Sequence, residues 1–567
     1  MHRDLSRGIP PSAFGGGFTS TAPRFSRIIV QTGCRGTPAR NREIGRGLRP
    51  YLSHVVLPST NDMLSFIVYR NRRLAESVDL SGAYVIGTDD VPLRAECGFR
   101  NGVITCKKRA AGPAGLVLLW EVKNAGAFLL ETIRVQEREQ PYVLQVELAR
   151  GRLMRLLQKL EEWGLNEFDG AEPMLAKVEQ ARDALIRSLQ CDTPQEAAEL
   201  GEESVSLAVQ AGEEAARFHA AAFLGRRKQT GGFNKRLFGC HVPLDKSSEL
   251  SRKRIASAFD FATLPVIWRD VEPTEQNFNW KTLDGWIEGL ARQSIYLRGG
   301  PLLSFHEKNV PDWLFIWEHD FDTLRDLAFE HIRRVINRYS QYIQTWTVVS
   351  GLHSTNCFTF SFEQLMELTR MAAALTKQVC PRGTAIIELV APWGEYYARN
   401  QRTIPPLLYA DMTVQGGVNF DAFGLQFRFG PAIEGLYVRD MFQISCLLDH
   451  FSKLGKPIHV TAVQVPSESS TGTGGASSDG TGEGGSWHDR WSENVQAEWL
   501  ARFVEVVLSK PYVESVCWQT LTDQSDGDVR HGGLLRSDLT PKAAYKRLLS
   551  LRGELLGPQQ KTADSAA

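Results

Sequence analysis

The feature that most constrains the fold is an alternation, from residue 233 to residue 555, of short apolar runs with amphipathic helical stretches. Parallel strands need crossover helices, and eight strand-helix units close a sheet into a barrel. The eight runs are LFGCHVPL, FATLPVIW, IYLRGGPLLSF, TWTVVSG, TAIIELVA, FGLQFRF, PIHVTAVQV and VESVCWQTL. The sequence therefore predicts an α/β fold, a (β/α)8 TIM barrel, with its active site at the C-terminal ends of the strands.

Two other kinds of sequence precede the barrel. Residues 63–147 alternate β-rich runs, the last of them YVLQVEL, with turn signals, which is typical of a small β-sandwich. Residues 148–232 change to a helical period and predict a helical linker region. Residues 1–62, rich in Arg, Gly, Ser and Pro, predict a disordered extension, and residues 556–567 predict a disordered tail.

Composition and charge exclude several classes of function. The 65 basic and 65 acidic side chains cancel, so nothing in the overall charge favours nucleic acid or an anionic membrane as a partner. The nine cysteines form no CxxC pair and no metal-binding cluster, and no phosphate loop or dinucleotide motif is present. We expect reduced cysteines, no metal and no cofactor. With neither a signal peptide nor a transmembrane run, the prediction is a cytoplasmic protein.

One loop is unusual in composition. Residues 467–486 are almost entirely Ser, Gly, Thr and acidic residues, and they follow the seventh predicted strand of the barrel. Such a composition is typical of a flexible segment. Because it leaves the C-terminal end of a strand, the loop is expected on the functional rim of the barrel.

Several motifs stand at the predicted strand ends and carry a family resemblance. They are FATLPVIWRDVEP, RGGPLLSFHEKNVPDW, TWTVVSG, FDAFGLQFRF, IHVTAVQV, CWQTLTD and LLRSDLTPKAAYKRL. In this order the barrel resembles glycoside hydrolase family 10, the retaining endo-β-1,4-xylanases, over residues 237–551. The resemblance implies a carbohydrate substrate and two catalytic glutamates. The β-rich segment is similar in kind to the carbohydrate-binding modules attached to such enzymes.

Both positions that match the catalytic glutamates lack a carboxylate. The family's acid/base follows Trp-Asp-Val-Val-Asn on the fourth strand, and here that position is Gly351. The family's nucleophile follows a threonine on the seventh strand, and here that position is Ala462. A hydrogen or a methyl group can neither protonate a glycosidic oxygen nor attack an anomeric carbon. The resemblance therefore implies a barrel without the family's hydrolytic machinery.

Part of the sugar-binding set is also changed. Arg428 replaces the histidine that would contact the nucleophile, while Gln426 is kept before it. Trp268 and Trp518 match family tryptophans, and His306 matches the histidine of the third strand. These five residues are the binding candidates that the resemblance supplies. For the two tryptophans, stacking on a sugar and filling the core are alternatives.

Two other acids are candidates for a relocated catalytic role. Glu388 ends the fifth strand, and its carboxylate must reach water, a ligand or a partner, for which Arg428 on the next strand is the first candidate. Glu395 follows in a loop with Trp393, which could stack on a sugar or pack against the barrel. His353, in the loop after Gly351, is expected to be solvated.

Three functions follow. The preferred interpretation is a catalytically degenerate family 10 barrel that binds a xylan-type polysaccharide or oligosaccharide, or a protein, in the old cleft. The first alternative is an active glycoside hydrolase that uses relocated carboxylates such as Glu388 and Glu395. The second is an interaction protein that binds a partner through its helical segment.

Overall fold

The computed structural model describes most of the chain after the N-terminal extension. The described ranges are 63–244, 248–469, 482–524 and 527–557. All of them belong to one compact unit, Ser59–Ala567. The disorder predicted for residues 1–62 lies outside the described residues, as do most of the predicted tail and most of the Ser- and Gly-rich loop.

Two small sheets and a separate two-stranded pair, β2-β3, form the first part of the described chain. The strands are β1 Leu64–Ile67, β2 Tyr69–Arg70, β3 Arg73–Leu74, β4 Tyr84–Ile86, β5 Pro92–Leu93, β6 Ala95–Arg100, β7 Val103–Lys108, β8 Gly115–Val122, β9 Gly126–Glu131 and β10 Tyr142–Val143. One sheet has the order β10-β1-β7-β6, and β9, β8, β4 and β5 belong to the other. Phe66, Ile104, Leu118 and Phe128 are fully buried, so both sheets contribute to the hydrophobic core.

The prediction that YVLQVEL forms a strand is wrong beyond its first two residues. Only Tyr142–Val143 is a strand, and helix α1, Leu144–Glu162, begins directly after it. Leu144 and Leu148 are both fully buried and four residues apart, which places them on one face of a helix. A short apolar run fits both periods, and here the helical period of the following residues extends back into it.

Three helices fill the region between the sheets and the barrel. Helix α2 spans Glu172–Gln190 and α3 spans Pro194–Gln229, with Thr193 accepting a hydrogen bond from the backbone N–H of Glu196 at the start of α3. Ala208, Ala211 and Ala215 of α3 are fully buried, which allows neighbouring helices to approach closely. The predicted helical region is therefore packed in the core.

The barrel closes as predicted. Its strands are β11 Phe238–His241, β12 Phe261–Leu264, β13 Tyr296–Gly299, β14 Ile343–Ser350, β15 Thr384–Leu389, β16 Ala422–Arg428, β17 Ile458–Gln464 and β19 Val513–Trp518, with β18 Ser486–Trp487 outside the barrel. The eight barrel strands pair in parallel in chain order, and β19 pairs with β11 to close the sheet. The prediction of a (β/α)8 barrel that follows a β-rich segment is confirmed.

Helices connect the barrel strands and cover the outside of the sheet. They are α4 Glu249–Ala258, α5 Trp268–Val271, α6 Lys281–Ala291, α7 Phe321–Tyr339, α8 Phe362–Val379, α9 Pro406–Gln415, α10 Met441–Ser452, α11 Glu493–Leu508 and α12 Ala543–Leu556. Capping boxes begin α8 at Ser361 and α10 at Asp440, because each side chain accepts an N–H bond that the helix leaves unpaired. In the described part of the chain, no helix is both long and apolar enough to cross a membrane.

The connection after the seventh barrel strand joins the barrel to the N-terminal sheets. Strand β18 pairs antiparallel with β9, so the second sheet has the order β18-β9-β8-β4-β5. Gly126 faces Trp487 in this pairing. A Cβ atom on Gly126 would lie 2.4 Å from the carbonyl oxygen of Ser486, so this close approach requires glycine. A strand of the connection after β17 therefore belongs to one of the N-terminal sheets.

Candidate functional site

Gly351 lies directly after β14 in a conformation suited to glycine. Its φ is +67°, in the left-handed region that other residues seldom adopt. A Cβ atom there would lie 2.7 Å from Thr355 Oγ1 and 3.3 Å from Val390 Cγ2. The backbone at this strand end is therefore adapted to the absence of a side chain.

Ala462 lies inside β17 at an irregular point of the barrel. It pairs with Gln426 of β16, and the register between these strands shifts just before the pair, between Leu425 and Gln426. Ala462 is fully buried. Two residues further along the strand, Gln464 Nε2 donates to Thr520 Oγ1 at 2.8 Å. The strand end therefore presents a methyl group and an amide, with no carboxylate among these residues.

Glu388 is a buried carboxylate beside Gly351. It is 5% exposed and accepts a hydrogen bond from the Ser350 hydroxyl at 2.5 Å. The Gly351 N–H donates to the Glu388 carbonyl oxygen at 3.3 Å, so the two strand ends are adjacent. Of the two carboxylates proposed from sequence for a relocated role, Glu388 is the one at a barrel strand end.

The predicted ion pair between Glu388 and Arg428 is not formed. Arg428 Nη1 instead donates to Asp528 Oδ2 at 2.9 Å. Glu388 faces Gly424 in the strand register, so Arg428 lies four residues beyond it along β16. At about 3.3 Å per residue, that offset is about 13 Å along the strand. The sequence identified the neighbouring strand correctly but could not supply the register.

Glu395 is held away from the barrel strands by the N-terminal sheets. It lies in a short helical turn, Glu395–Ala398, and forms a buried ion pair with Arg439. Arg439 also donates to the Leu129 carbonyl oxygen at 3.2 Å, and its guanidinium lies 5.1 Å from the ring centroid of Trp393. Trp393 also contacts the rings of phenylalanines on and after β16. Of the two alternatives for this loop, these contacts favour packing within the protein.

His353 is buried, which corrects the expectation of a solvated loop histidine. It is fully buried, and burial lowers its pKa to about 3. Tyr396 donates its hydroxyl proton to the Ile404 carbonyl oxygen, so the 2.7 Å contact between His353 Nδ1 and Tyr396 Oη assigns the ring proton to Nδ1. A neutral, packed imidazole at this place supports the loop structure.

The two candidate tryptophans are packed in the protein. Trp268 is 3% exposed, donates to Glu272 Oε2 at 3.0 Å and stacks on His331 of α7, with ring centroids 4.4 Å apart. Trp518 is also 3% exposed and donates to the Gly532 carbonyl oxygen at 3.0 Å. It lines a small apolar cavity between the barrel and helices α11 and α12. Of the two predicted alternatives, these contacts favour core packing.

The polar candidates on the rim surround one aspartate. Asp528 accepts from Arg428 and, at 3.3 Å, from Lys308 Nζ, and these two cations lower its pKa against the effect of burial. His306 is partly buried, and its Nδ1 accepts the Lys308 N–H at 3.1 Å. Gln426 is also partly buried. The rim therefore offers charged and amide groups that a polyhydroxylated ligand could contact.

Sequence reasoning missed a histidine and a cysteine on the inner wall of the barrel. His241, at the end of β11, contacts the Thr461 carbonyl oxygen through Nε2 at 2.9 Å. Burial lowers the pKa of His241, but Cys517, the Thr461 carbonyl and Glu388 outweigh burial and raise it to about 9. Thr263 Oγ1 lies 3.6 Å from the Cys517 sulfur. Both residues lie in predicted strands, but their partners lie on strands distant in sequence, so no local pattern brought them together.

A buried arginine lies deeper in the barrel and was also missed. Arg298 Nη1 donates to Ser515 Oγ at 2.9 Å, and its guanidinium lies 3.6 Å from the centroid of the Phe261 ring. Burial lowers the pKa of Arg298 to about 10. His459 Nδ1 shares the same serine hydroxyl at 2.8 Å. Among the residues that the structure describes, no carboxylate lies within ion-pair distance of Arg298.

A metal centre has no support in the described ranges. No group of three or more His, Cys, Asp and Glu side chains within them is arranged to hold a metal ion.

Comparison with known proteins agrees with the sequence resemblance. Residues 247–370 match the family model described as glycosyl hydrolase family 10. Endo-1,4-beta-xylanase C of Paenibacillus barcinonensis is 31% identical over 120 residues. That alignment covers 20% of this chain and only 10% of the xylanase. The chain therefore spans about a tenth of the length of this curated relative.

Solved structures give further matches. The family 10 structure from Paenibacillus barcinonensis has 17% identity and a TM-score of 0.43, covering 60% of this chain and 99% of that one. Xylanase B from Clostridium stercorarium F9 has 17% identity and a TM-score of 0.42, covering 55% and 96%. Xylanase 10B from Thermotoga maritima has 17% identity and a TM-score of 0.42, covering 56% and 95%. The family-model match therefore makes residues 247–370, in the first half of the barrel, similar to glycosyl hydrolase family 10.

Proposed function

We propose that this protein binds a xylan-type polysaccharide or oligosaccharide at the mouth of its barrel without hydrolysing it by the family mechanism. A retaining glycosidase needs two carboxyl groups about 5 to 5.5 Å apart, one as acid/base and one as nucleophile. The observation that carries the proposal is that the two positions which the resemblance assigns to these groups hold Gly351, directly after β14, and Ala462, within the last three residues of β17. Without both groups, no glycosyl-enzyme intermediate can form and be released.

The conformation of Gly351 is unfavourable for a glutamate at this position. With φ at +67°, a glutamate there would adopt a left-handed backbone at a cost of about 1–2 kcal/mol. Thr355 of the loop after β14 and Val390, which follows β15, also occupy the space that a side chain at this position would need. Restoring the carboxylate by one substitution is therefore not expected to restore catalysis.

Hydrolysis through relocated carboxylates is the second candidate, and one observation favours it. Glu388 is buried at a strand end beside Gly351, where an acid could face a bound sugar. Its proposed partner Glu395 is neutralised by Arg439 at the contact with the N-terminal sheets. A double displacement would then lack its second group, so we prefer binding without turnover.

The rim provides the groups for such binding. Arg428, Lys308 and His306 lie around Asp528, and Gln426 lies on the strand that leads to them. Sugar hydroxyls both donate and accept hydrogen bonds, so a rim with amide, carboxylate and cationic groups can satisfy them. Protein binding at the same rim is the outcome that remains if no sugar binds.

The test combines calorimetric titration of the full chain with xylo-oligosaccharides and a hydrolysis assay on aryl xylosides. We expect measurable binding heat, no turnover, and several-fold weaker binding for Arg428→Ala. Arg333→Ala is the matched control, because Arg333 is exposed on α7 and pairs there with Glu330. Turnover that Glu388→Gln abolishes would establish the enzyme alternative. Neither heat nor turnover would overturn both and leave a protein partner.

A further inference from the structure

A pair of cysteines in the N-terminal sheets lies outside the candidate site. Cys97 on β6 and Cys106 on β7 are directly opposite each other in the antiparallel register. Their sulfur atoms lie 3.5 Å apart. Cys97 is partly exposed, whereas Cys106 is fully buried in the sheet core.

The hairpin geometry holds these two residues in register. Strands β6 and β7 are joined through Asn101 and Gly102, whose φ values are +50° and +79°. Positive φ at both central residues defines the type I′ turn, whose twist matches that of a two-strand hairpin. Directly opposed residues of antiparallel strands have Cα atoms about 4.5–5.5 Å apart, which lies inside the range that a disulfide spans. Bond formation therefore needs side-chain rotation and little backbone movement.

The chemistry of the pair is asymmetric. The hydrogen bond with Cys106 lowers the pKa of the Cys97 thiol, although burial acts in the opposite direction. The same hydrogen bond and burial raise the pKa of Cys106. The thiolate is the attacking form in thiol–disulfide exchange. The partly exposed Cys97 is therefore the sulfur that would react first with a small oxidant, and Cys106 is the sulfur that would resolve the adduct.

We propose that Cys97 and Cys106 form a reversible disulfide by exchange with a low-molecular-weight disulfide such as oxidised glutathione. The Cys97 thiolate attacks one glutathione sulfur and displaces the other as a glutathione thiolate. Cys106 then gives up its proton and attacks Cys97 Sγ, which releases the second glutathione. Two protein thiols are oxidised, and one glutathione disulfide is reduced to two thiols.

The disulfide would act on an edge of the sheet. Strand β6 is the last strand in the order β10-β1-β7-β6, so one of its sides has no neighbouring strand in the sheet. Its residues alternate between partly buried and exposed along the strand. Edge strands open more readily than central ones, and a covalent link to β7 restricts that opening. Oxidation is therefore expected to slow amide exchange in β6.

Peptide mapping of the full chain tests the proposal. After incubation with oxidised glutathione and blocking of free thiols, trypsin cuts after Arg94, Arg100 and Lys107 and separates AECGFR from NGVITCK. The expected result is that most chains yield these two peptides joined, two hydrogen atoms lighter than their sum, and that dithiothreitol separates them. Cys97→Ser is expected to abolish the joined species.

Two internal controls make the outcome decisive. Cys191→Ser removes another partly exposed thiol and should leave the joined peptides unchanged. Cys240 and Cys517 lie on adjacent barrel strands but face Trp518 and Gly239, not each other, so they should stay reduced. A stable glutathione adduct on Cys97, a link from Cys97 to another cysteine, or two free thiols would each overturn the proposal.

Discussion

Buried charges have different kinds of partner in two regions of this molecule. Where the N-terminal sheets and helices meet the barrel, opposite charges contact each other directly: Arg439 with Glu395, and Lys510 with Asp449 at 2.8 Å. On the inner wall of the barrel, hydroxyl groups hold the charges. Glu388 accepts from a serine hydroxyl, and Arg298 donates to another.

The difference bears on the proposed binding site. A buried charge without an opposite charge is costly, so proteins retain such groups mainly where a function needs them. At the internal contact, the opposite charges of each pair neutralise each other and leave few polar groups for a ligand. On the barrel wall, Glu388 lies near the C-terminal end of β15, the end of the strands at which barrel enzymes bind substrates, whereas Arg298 lies deeper.

The largest expected effect is at the internal contact. Arg439→Met should lower the free energy of unfolding by about 3–5 kcal/mol, because it leaves the Glu395 carboxylate buried and unpaired. Urea denaturation followed by tryptophan fluorescence measures the loss. The double variant with Glu395→Gln should recover part of it, and Arg333→Met on exposed α7 should cost little. A loss below about 1 kcal/mol would show that the two regions do not differ.

A pH effect of intermediate size is expected at the second ion pair of this region, between Lys510 and Asp449. Lys510 and Lys159 outweigh burial and lower the pKa of Asp449 from 3.8 to about 2. The unfolded chain then binds the proton more readily, so this stabilisation is complete above about pH 4 and is lost as the pH falls towards 2. The shift corresponds to about 2 kcal/mol.

The variant Asp449→Asn isolates this contribution. At pH 7 it should unfold at a lower urea concentration than the wild type, and the difference should shrink progressively below pH 4. Glu275→Gln, at an exposed carboxylate, is the control and should show no such trend. A difference between Asp449→Asn and wild type that stays constant down to pH 3 would contradict the assigned cause.

Local patterns were enough to predict the barrel but not its internal contacts. All eight barrel strands were identified from short apolar runs followed by helical periods, because both signals lie within a few residues. The error at YVLQVEL arose where one short run fitted both periods. The pairing of β18 with β9 was not predicted, since it joins residues 126 and 487, and no local pattern encodes such a contact.

The sequence predicted where the site residues lie along the chain, but not the contacts that depend on the register of the strands. Gly351 directly follows β14 and Ala462 lies within β17, so the predicted strands contain or adjoin both positions. Their match to the catalytic glutamates stays a prediction. The partner of Arg428 and the burial of Trp268 depend on strand offset and on loops packed from elsewhere. The wall residue His241 was missed, because its partners come from strands distant in sequence.

The smallest effect is expected inside the barrel. Glu388→Gln should change the free energy of unfolding by less than about 1 kcal/mol, because the amide oxygen can still accept the Ser350 hydroxyl proton and no cation is left unpaired at ion-pair distance. The same urea denaturation measures it, with Glu275→Gln as the exposed control. A loss near that of Arg439→Met would mean that the barrel wall holds Glu388 for stability, as the internal contact holds Glu395. A small change would leave the carboxylate free to contact a ligand.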